Sequence, residues 1–154
     1  LKGFENFSPK RIILDKSLDI KLNTYIFNTA KKYNTIIFHN SFNKKKIGIL
    51  KNKGILLFKM KLDNKENFDL SAVLKKLFRL GIRSLLIEGG DKITKNILSY
   101  KLADQFYLLK SPKNLIKNDK HVFFTSNDIL KKKYKNVSKV ITKLAKDNIT
   151  IYKR

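Results

Sequence analysis

The sequence predicts a mixed α/β fold, in which a mainly parallel central sheet is flanked by helices and followed by a C-terminal antiparallel hairpin. Three observations support this prediction. Early in the chain, short apolar runs alternate with stretches in which apolar residues recur at helical spacing. Late in the chain, strand-like runs follow one another without a helical stretch between them. With 154 residues and 42% hydrophobic content, the chain can form one domain around a single core.

The N-terminal part contains short apolar runs that we interpret as strands, because turn-forming residues bound each of them. These runs are residues 11–14, 35–39, 47–50 and 55–60. Residues 47–50 could form a short helix instead. Residues 17–33, between the first two runs, are interpreted as an irregular connection.

The clearest helix is predicted over residues 68–80. Asp69 is the expected N-cap, and Gly81 ends the helix. The inner face is formed by apolar residues at helical spacing: Leu70, Val73, Leu74, Leu77 and Phe78.

The most informative stretch follows this helix. Residues 84–87 are mostly apolar and predict a short buried strand, and Glu88 places a carboxylate at its carboxyl end. Gly89 and Gly90 allow a tight turn, after which Asp91 begins a stretch with helical spacing. Such a junction presents free backbone N–H groups and the positive end of a helix, which suits a phosphorylated sugar or a nucleotide pyrophosphate. The alternative is an ordinary strand-to-helix turn with a solvated Glu88.

The remaining chain is predicted as one helix followed by strands. The helix covers residues 91–100, and the strands cover residues 103–109, 122–124, 137–144 and 148–152, with residues 145–147 as the turn of a hairpin. We expect the inner strands of the sheet to include residues 11–14, 35–38, 85–87 and 103–109.

The formal net charge of +23 raises the question of nucleic-acid binding. The basic residues are mostly Lys and are spread over the whole chain, whereas Arg, the usual group for bidentate recognition, is scarce. Specific nucleic-acid binding is therefore not expected.

Several other classes are excluded by composition. The sequence has no apolar run of about 18 residues, so no transmembrane helix is predicted. With no Cys and only His39 and His121, which lie far apart in the chain, we expect neither a disulfide nor a bound metal. The absence of Cys and of a signal-peptide pattern favours a cytoplasmic protein.

A set of motifs in a fixed order indicates a family. Ser8-Pro9 opens the first strand, Leu-Leu-Ile-Glu-Gly-Gly occupies residues 85–90, Leu-Ala-Asp-Gln occupies residues 102–105, and residues 146–152 close the chain. Together they resemble the reductase domain of the bacterial bifunctional riboflavin-biosynthesis deaminase/reductase, which has a dihydrofolate-reductase-like fold. The resemblance covers essentially the whole chain.

The resemblance also shows what the chain lacks. The family's reductase domain opens with a further strand and an Asp-Pro-x-Leu-Thr-x-Arg-like stretch, and a zinc-dependent deaminase half precedes it; neither is found here. We therefore expect residues 1–154 to be a single reductase domain without its first strand and the upstream deaminase domain. Such an isolated fragment need not be active.

The family implies a reaction and a set of contacts. The reaction is the NADPH-dependent reduction of 5-amino-6-(5-phosphoribosylamino)uracil to the ribityl product by hydride transfer. By position, Glu88 would contact the substrate, and Lys16 would offer charge to the 2′-phosphate of NADPH. The backbone of five further residues would hold the NADPH phosphates: Gly90, Asp91, Lys92, Ile93 and Thr94. No residue is assigned as catalytic, Asp15 is interpreted as a turn-forming cap, and a homodimer is compatible with the family.

Two alternatives stay open. The chain could be another dihydrofolate-reductase-like NADPH reductase that acts on a pterin-type ring, or a non-catalytic Lys-rich α/β binding module. A titration with NADPH distinguishes the binding module from both enzymes.

The dispersed Lys residues lead to a first testable prediction. Binding to nucleic acid should be weak, indifferent to sequence and largely lost at physiological salt, because it rests on phosphate neutralisation alone. Fluorescence anisotropy with labelled DNA and RNA over a salt series checks this. Submicromolar, salt-resistant binding to one sequence would contradict it.

Overall fold

The computed structural model describes residues 9–113, 124–141 and 147–154. The chain divides into two compact units, Leu1–Gly81 and Ile82–Arg154. The predicted strand at residues 122–124 lies almost wholly outside the described residues, as do the end of the predicted strand 137–144 and most of the predicted turn 145–147. That residues 1–154 form one domain stays a prediction.

The first unit is built on a parallel sheet. Its elements are β1 (Ile12–Leu14), α1 (Tyr25–Asn28), β2 (Ile36–His39), α2 (Lys44–Asn52), β3 (Leu56–Lys59) and α3 (Leu70–Arg79). The strand order is β1-β2-β3, and both pairings are parallel. The predicted strands at 11–14, 35–39 and 55–60 are confirmed. The predicted helix at 68–80 is confirmed too, and the Asp69 side chain caps it by accepting a hydrogen bond from the N–H of Ala72.

Residues 47–50 belong to a helix rather than to a strand. The strand interpretation of this run is wrong, and its helical alternative is correct. The Asn43 side chain caps α2 by accepting a hydrogen bond of 2.9 Å from the N–H of Lys46. Leu50 lies in the buried core, with Ile47 packed against it. A three-residue spacing of apolar side chains places both on one helix face.

Buried residues lie on both faces of the sheet of the first unit, and one cluster of them packs around Ile37. β2 is the inner strand and is buried along its whole length, as expected of a parallel strand covered on both faces. Ile37, at its middle, is 0% exposed. The core contains residues from β2, α1, α2 and the loops: Leu18, Phe27, Ala30, Ile37, Leu50 and Ile55. β1 has one neighbour among the described strands, so it lies at an edge rather than inside.

The stretch that joins the two units differs from its prediction. Residues 82–90 form neither a helix nor a strand. Leu85, Leu86 and Ile87 are 37%, 82% and 37% exposed, so the prediction of a buried inner strand is wrong. A continuous apolar run indicates a strand that neighbours cover on both faces. No strand of the described residues pairs with this run, and its side chains therefore remain at the surface.

The second unit combines helices with an antiparallel sheet. Its elements are α4 (Asp91–Ser99), β4 (Gln105–Lys110), α5 (Asn127–Lys133), β5 (Asn136–Val140) and β6 (Asn148–Lys153). The strand order is β4-β6-β5, so β4 is an edge strand of this sheet rather than an inner one. The core contains Leu98, Leu130 and Tyr134. The sequence predicted each of these elements except α5. This helix has only seven residues, of which the last three are Lys, so its apolar spacing is too short to be recognised.

The fold class is confirmed. A parallel and an antiparallel three-stranded sheet, each with helices beside it in the chain, make a mixed α/β structure. In the part of the chain that the structure describes, no helix has both the length and the apolar character to cross a membrane.

The different burial of two apolar residues gives a second prediction. Ile37→Ala should lower the free energy of unfolding by about 2–5 kcal/mol, because it leaves a cavity in the core. Leu86→Ala should change it by no more than about 0.5 kcal/mol, because the Leu86 side chain is mostly exposed. Chemical denaturation of both variants measures the difference, and equal losses would contradict the exposed position of Leu86.

Candidate functional site

The N-terminus of α4 presents unused hydrogen-bond donors. The helix begins at Asp91 after the N-cap Gly90, and no described side chain caps it. The first backbone N–H groups of a helix have no partner within the helix, and the helix dipole makes this end positive. The N–H of Thr94 already donates to the carbonyl of Gly90 over 3.2 Å. The N–H groups of Asp91, Lys92 and Ile93 thus precede the first bonded turn and can bind an anion.

The two glycines before the helix differ in what surrounds them. A Cβ atom added at Gly89 would lie 1.9 Å from Cγ2 of Ile93, which no side chain can tolerate without a shift. A Cβ atom added at Gly90 would meet no other atom within 4 Å. Gly89 is therefore required by packing against the helix. Gly90 faces open space, as a backbone that a ligand approaches would.

The Asp91 side chain makes hydrogen bonds within the protein. Its two carboxylate oxygens accept hydrogen bonds from Thr125, one from the backbone N–H over 2.9 Å and one from the hydroxyl over 2.7 Å. These bonds, that from the backbone first, lower the pKa of Asp91 below its ordinary value. The carboxylate thus stays ionised and ties Thr125 to the start of α4. Only the backbone of Asp91 remains available to an anion.

The other predicted residues of this unit are at the surface. Glu88 is exposed, directly before the two glycines, and makes no ion pair with a described residue. Lys92 is exposed in the first turn of α4. The Thr94 hydroxyl is 3.5 Å from the Gly89 carbonyl, at the limit of a hydrogen bond. The chain order therefore keeps a carboxylate, free N–H groups, a hydroxyl and an ammonium group within one short stretch.

Lys16 lies in the first unit, in the turn that follows β1. Its ammonium group pairs with the Glu66 carboxylate at 2.8 Å, and both side chains are substantially exposed. The neighbouring Asp15 accepts hydrogen bonds of 2.9 Å from the backbone N–H groups of Asp19 and Ile20. This geometry fits the interpretation of Asp15 as a turn-forming cap.

The carboxyl ends of the three parallel strands are tied together at one edge. The N–H of Asn40 donates to the Lys16 carbonyl over 2.9 Å, and its side-chain amide donates to the Met60 carbonyl over 2.6 Å. Ligands of open α/β sheets bind at this end of the strands. The sequence indicates a role for Lys16 near this edge but none for the residues that follow β2.

His39, the last residue of β2, is buried at this edge. It is 4% exposed, and its Nδ1 has no hydrogen-bond partner among the described residues. Burial of the imidazole is the main cause that lowers the pKa of His39; a hydrogen bond with the Ser41 backbone opposes this shift, and the positive charge of Lys59 adds to it. The ring is therefore neutral at neutral pH.

An exposed aromatic residue follows in the loop after β2. Phe42 is 79% exposed, and the Lys59 ammonium lies 3.0 Å from the centroid of its ring. Lys59 is the last residue of β3 and pairs in register with His39. Position relative to the strand ends could have identified Phe42, whereas its contact with Lys59 depends on tertiary structure.

The described residues include no candidate metal site. Among them, no group of three or more His, Asp or Glu side chains is arranged to hold a metal ion.

Comparison with known proteins gives consistent matches. Residues 2–149 match the family model described as the RibD C-terminal domain. The riboflavin biosynthesis protein RibD of Actinobacillus pleuropneumoniae is 32% identical over 105 residues, which are 68% of this chain and 28% of that protein. The 2,5-diamino-6-ribosylamino-4(3H)-pyrimidinone 5′-phosphate reductase of Archaeoglobus fulgidus is 25% identical over 68% of this chain and 46% of its own length. The matched part thus spans less than half of each of these relatives.

A solved structure is similar in fold. The pyrimidine reductase-like protein of Corynebacterium diphtheriae superposes with a TM-score of 0.69 at 17% sequence identity, over 99% of this chain and 67% of that chain. At this identity the likeness concerns the fold alone.

The two glycines lead to a third prediction. Gly89→Ala should lower the free energy of unfolding by about 1–3 kcal/mol, because the new methyl group overlaps Ile93. Gly90→Ala should change it by less than about 1 kcal/mol, since the new methyl group meets open space at a negative φ.

Denaturant titration measures both variants, with Ile93→Ala as a control. Removing the Ile93 side chain should relieve the overlap, so Gly89→Ala should cost less in that background. Equal losses for the two glycine variants would contradict the packing role of Gly89.

Proposed function

Because this chain belongs to the RibD C-terminal domain family, we propose that it is a reductase of riboflavin biosynthesis. The proposed substrate is 5-amino-6-(5-phosphoribosylamino)uracil, whose ribosyl side chain is reduced to ribityl with NADPH. The family match over residues 2–149 is the observation on which this proposal rests. The name of the Archaeoglobus relative, a ribosylaminopyrimidinone phosphate reductase, supports the substrate class.

The residues of the α4 junction fit a dinucleotide phosphate. An anion needs several N–H donors and an unobstructed approach, and the uncapped start of α4 beside Gly90 offers both. The N–H groups of Asp91, Lys92 and Ile93 would bind phosphate oxygens. Since the Thr94 N–H is already bonded within the helix, Thr94 would contribute its hydroxyl. When bound, the nicotinamide supplies a hydride to the sugar carbon, and a proton from solvent completes the two-electron reduction.

Glu88 would orient the substrate. An ionised carboxylate accepts hydrogen bonds but cannot donate them, so it selects hydroxyl groups of a sugar chain over acceptor atoms. Its position directly before Gly89 keeps it near the phosphate-binding backbone along the chain. Holding the reacting carbon in line with the hydride donor is the contribution expected of such a residue.

Lys16 would serve the 2′-phosphate that distinguishes NADPH. It is engaged by Glu66, but an exposed ion pair of this kind contributes only about 0–1 kcal/mol. A doubly charged phosphate can therefore replace the Glu66 carboxylate at small cost.

We place the reaction in the cytoplasm, because the Cys-free chain suits a reducing compartment. A homodimer stays a prediction.

A fourth prediction tests the site in the intact protein. Glu88→Gln keeps the side-chain shape but removes the charge, so turnover should fall about tenfold or more while the affinity for NADPH stays the same. Gly90→Val places a branched side chain where phosphate must approach, so the affinity for NADPH itself should fall about tenfold or more.

Calorimetry, steady-state kinetics and thermal denaturation measure the three quantities. Asp104→Asn is the control for charge removal, because Asp104 is an exposed carboxylate of the same unit that pairs with Arg154. If Glu88→Gln turns over like the wild type, Glu88 does not contact the substrate. If Gly90→Val lowers only the melting temperature, the glycine serves the fold rather than the cofactor.

A further inference from the structure

Thr125 holds the carboxylate of Asp91 from outside helix α4. Its backbone N–H donates to one carboxylate oxygen over 2.9 Å, and its hydroxyl donates to the other over 2.7 Å. The hydroxyl of the adjacent Ser126 is buried and has no hydrogen-bond partner among the described residues, so it takes no part in this contact. One residue, 34 positions further along the chain, therefore holds both oxygens of the Asp91 carboxylate.

The packing of the second unit fixes the position of Thr125. Phe124, directly before it, stacks on Phe106 of β4 with 5.8 Å between the ring centroids. Ser126, directly after it, is 0% exposed and precedes α5. Thr125 itself is exposed. Because both of its neighbours are anchored, Thr125 can hold a partner in one orientation, whereas a substitution of its own side chain leaves the core intact.

Without this contact, the Asp91 carboxylate would compete for the donors of α4. Asp91 is the first residue of the helix, where the helix dipole attracts negative charge. Side-chain oxygens at a helix start commonly accept hydrogen bonds from its free N–H groups. A carboxylate turned towards these groups would occupy the donors that a phosphate needs, and it would repel the phosphate charge at short range. The two bonds to Thr125 oppose this orientation.

We infer that Thr125 is a positioning residue for the phosphate site at the start of α4, because it keeps the Asp91 carboxylate off the N–H groups that bind phosphate. This inference rests on the proposed function, since it takes a nucleotide phosphate as the ligand of these groups. Thr125 acts through Asp91 and not by a contact with the ligand. Both residues belong to the second unit.

The test measures the affinity of the intact protein for NADPH by calorimetry, together with the melting temperature of each variant. Thr125→Val replaces the hydroxyl by a methyl group and should weaken NADPH binding about three- to tenfold, because it releases one oxygen of the Asp91 carboxylate. Thr125→Ala, which adds no methyl group in place of the hydroxyl, should give the same loss. Thr125→Ser retains the hydroxyl and should bind NADPH like the wild type.

Thr150→Val is the matched control, because it makes the same chemical change on β6 of the same unit. The bonds to Asp91 come from Thr125, so this substitution should leave the affinity for NADPH unchanged.

Asp91→Ala separates positioning from a purely structural role. In this background no carboxylate remains to be held, so adding Thr125→Val should not weaken NADPH binding further. An equal loss with and without the Asp91 carboxylate overturns the inference, and so does wild-type affinity in Thr125→Val. In both cases NADPH binding by the wild-type protein leaves the proposed function intact. Failure of the wild-type protein to bind NADPH overturns both.

Discussion

The close approach of the Gly89 backbone to Ile93 is the constraint on which the candidate site depends. A Cβ atom at position 89 would lie 1.9 Å from Cγ2 of Ile93, so any residue other than glycine would force the Ile93 side chain to shift. Gly90, by contrast, lies in open space at an uncapped helix start. Together the two glycines leave the first N–H groups of α4 accessible to an anion.

The sequence predicts the helices and strands correctly where local signals and burial agree. The Asp69 cap and the apolar spacing after it located α3, and short apolar runs located β1, β2 and β3. The same type of signal failed at residues 85–87, because a strand needs neighbours that the run itself cannot specify. The helix α5 was missed for a related reason: its few apolar residues make sense only against the core that contains Leu130.

For the candidate site, too, the sequence reveals the local order of residues but not their long-range contacts. The Glu88-Gly89-Gly90 order is visible in the sequence, and the proposed role of these residues comes from the family resemblance. The bonds between Asp91 and Thr125 join residues 34 positions apart, so no local pattern could reveal them. The contact of Lys59 with Phe42 likewise depends on the pairing of β2 with β3. Tertiary contacts of this kind decide which side chains are free to meet a ligand.

The proposed reaction depends on hydride transfer from NADPH to the ribosyl side chain. The most direct measurement incubates the intact protein with 5-amino-6-(5-phosphoribosylamino)uracil and NADPH that carries deuterium at the transferable position, in separate experiments for the two faces of the nicotinamide. We expect one labelled form to give a ribityl product with deuterium on C1′ of the former ribosyl group, as mass spectrometry and NMR would show. Unlabelled product from both forms, or NADPH oxidation that occurs only with a pterin, would contradict it.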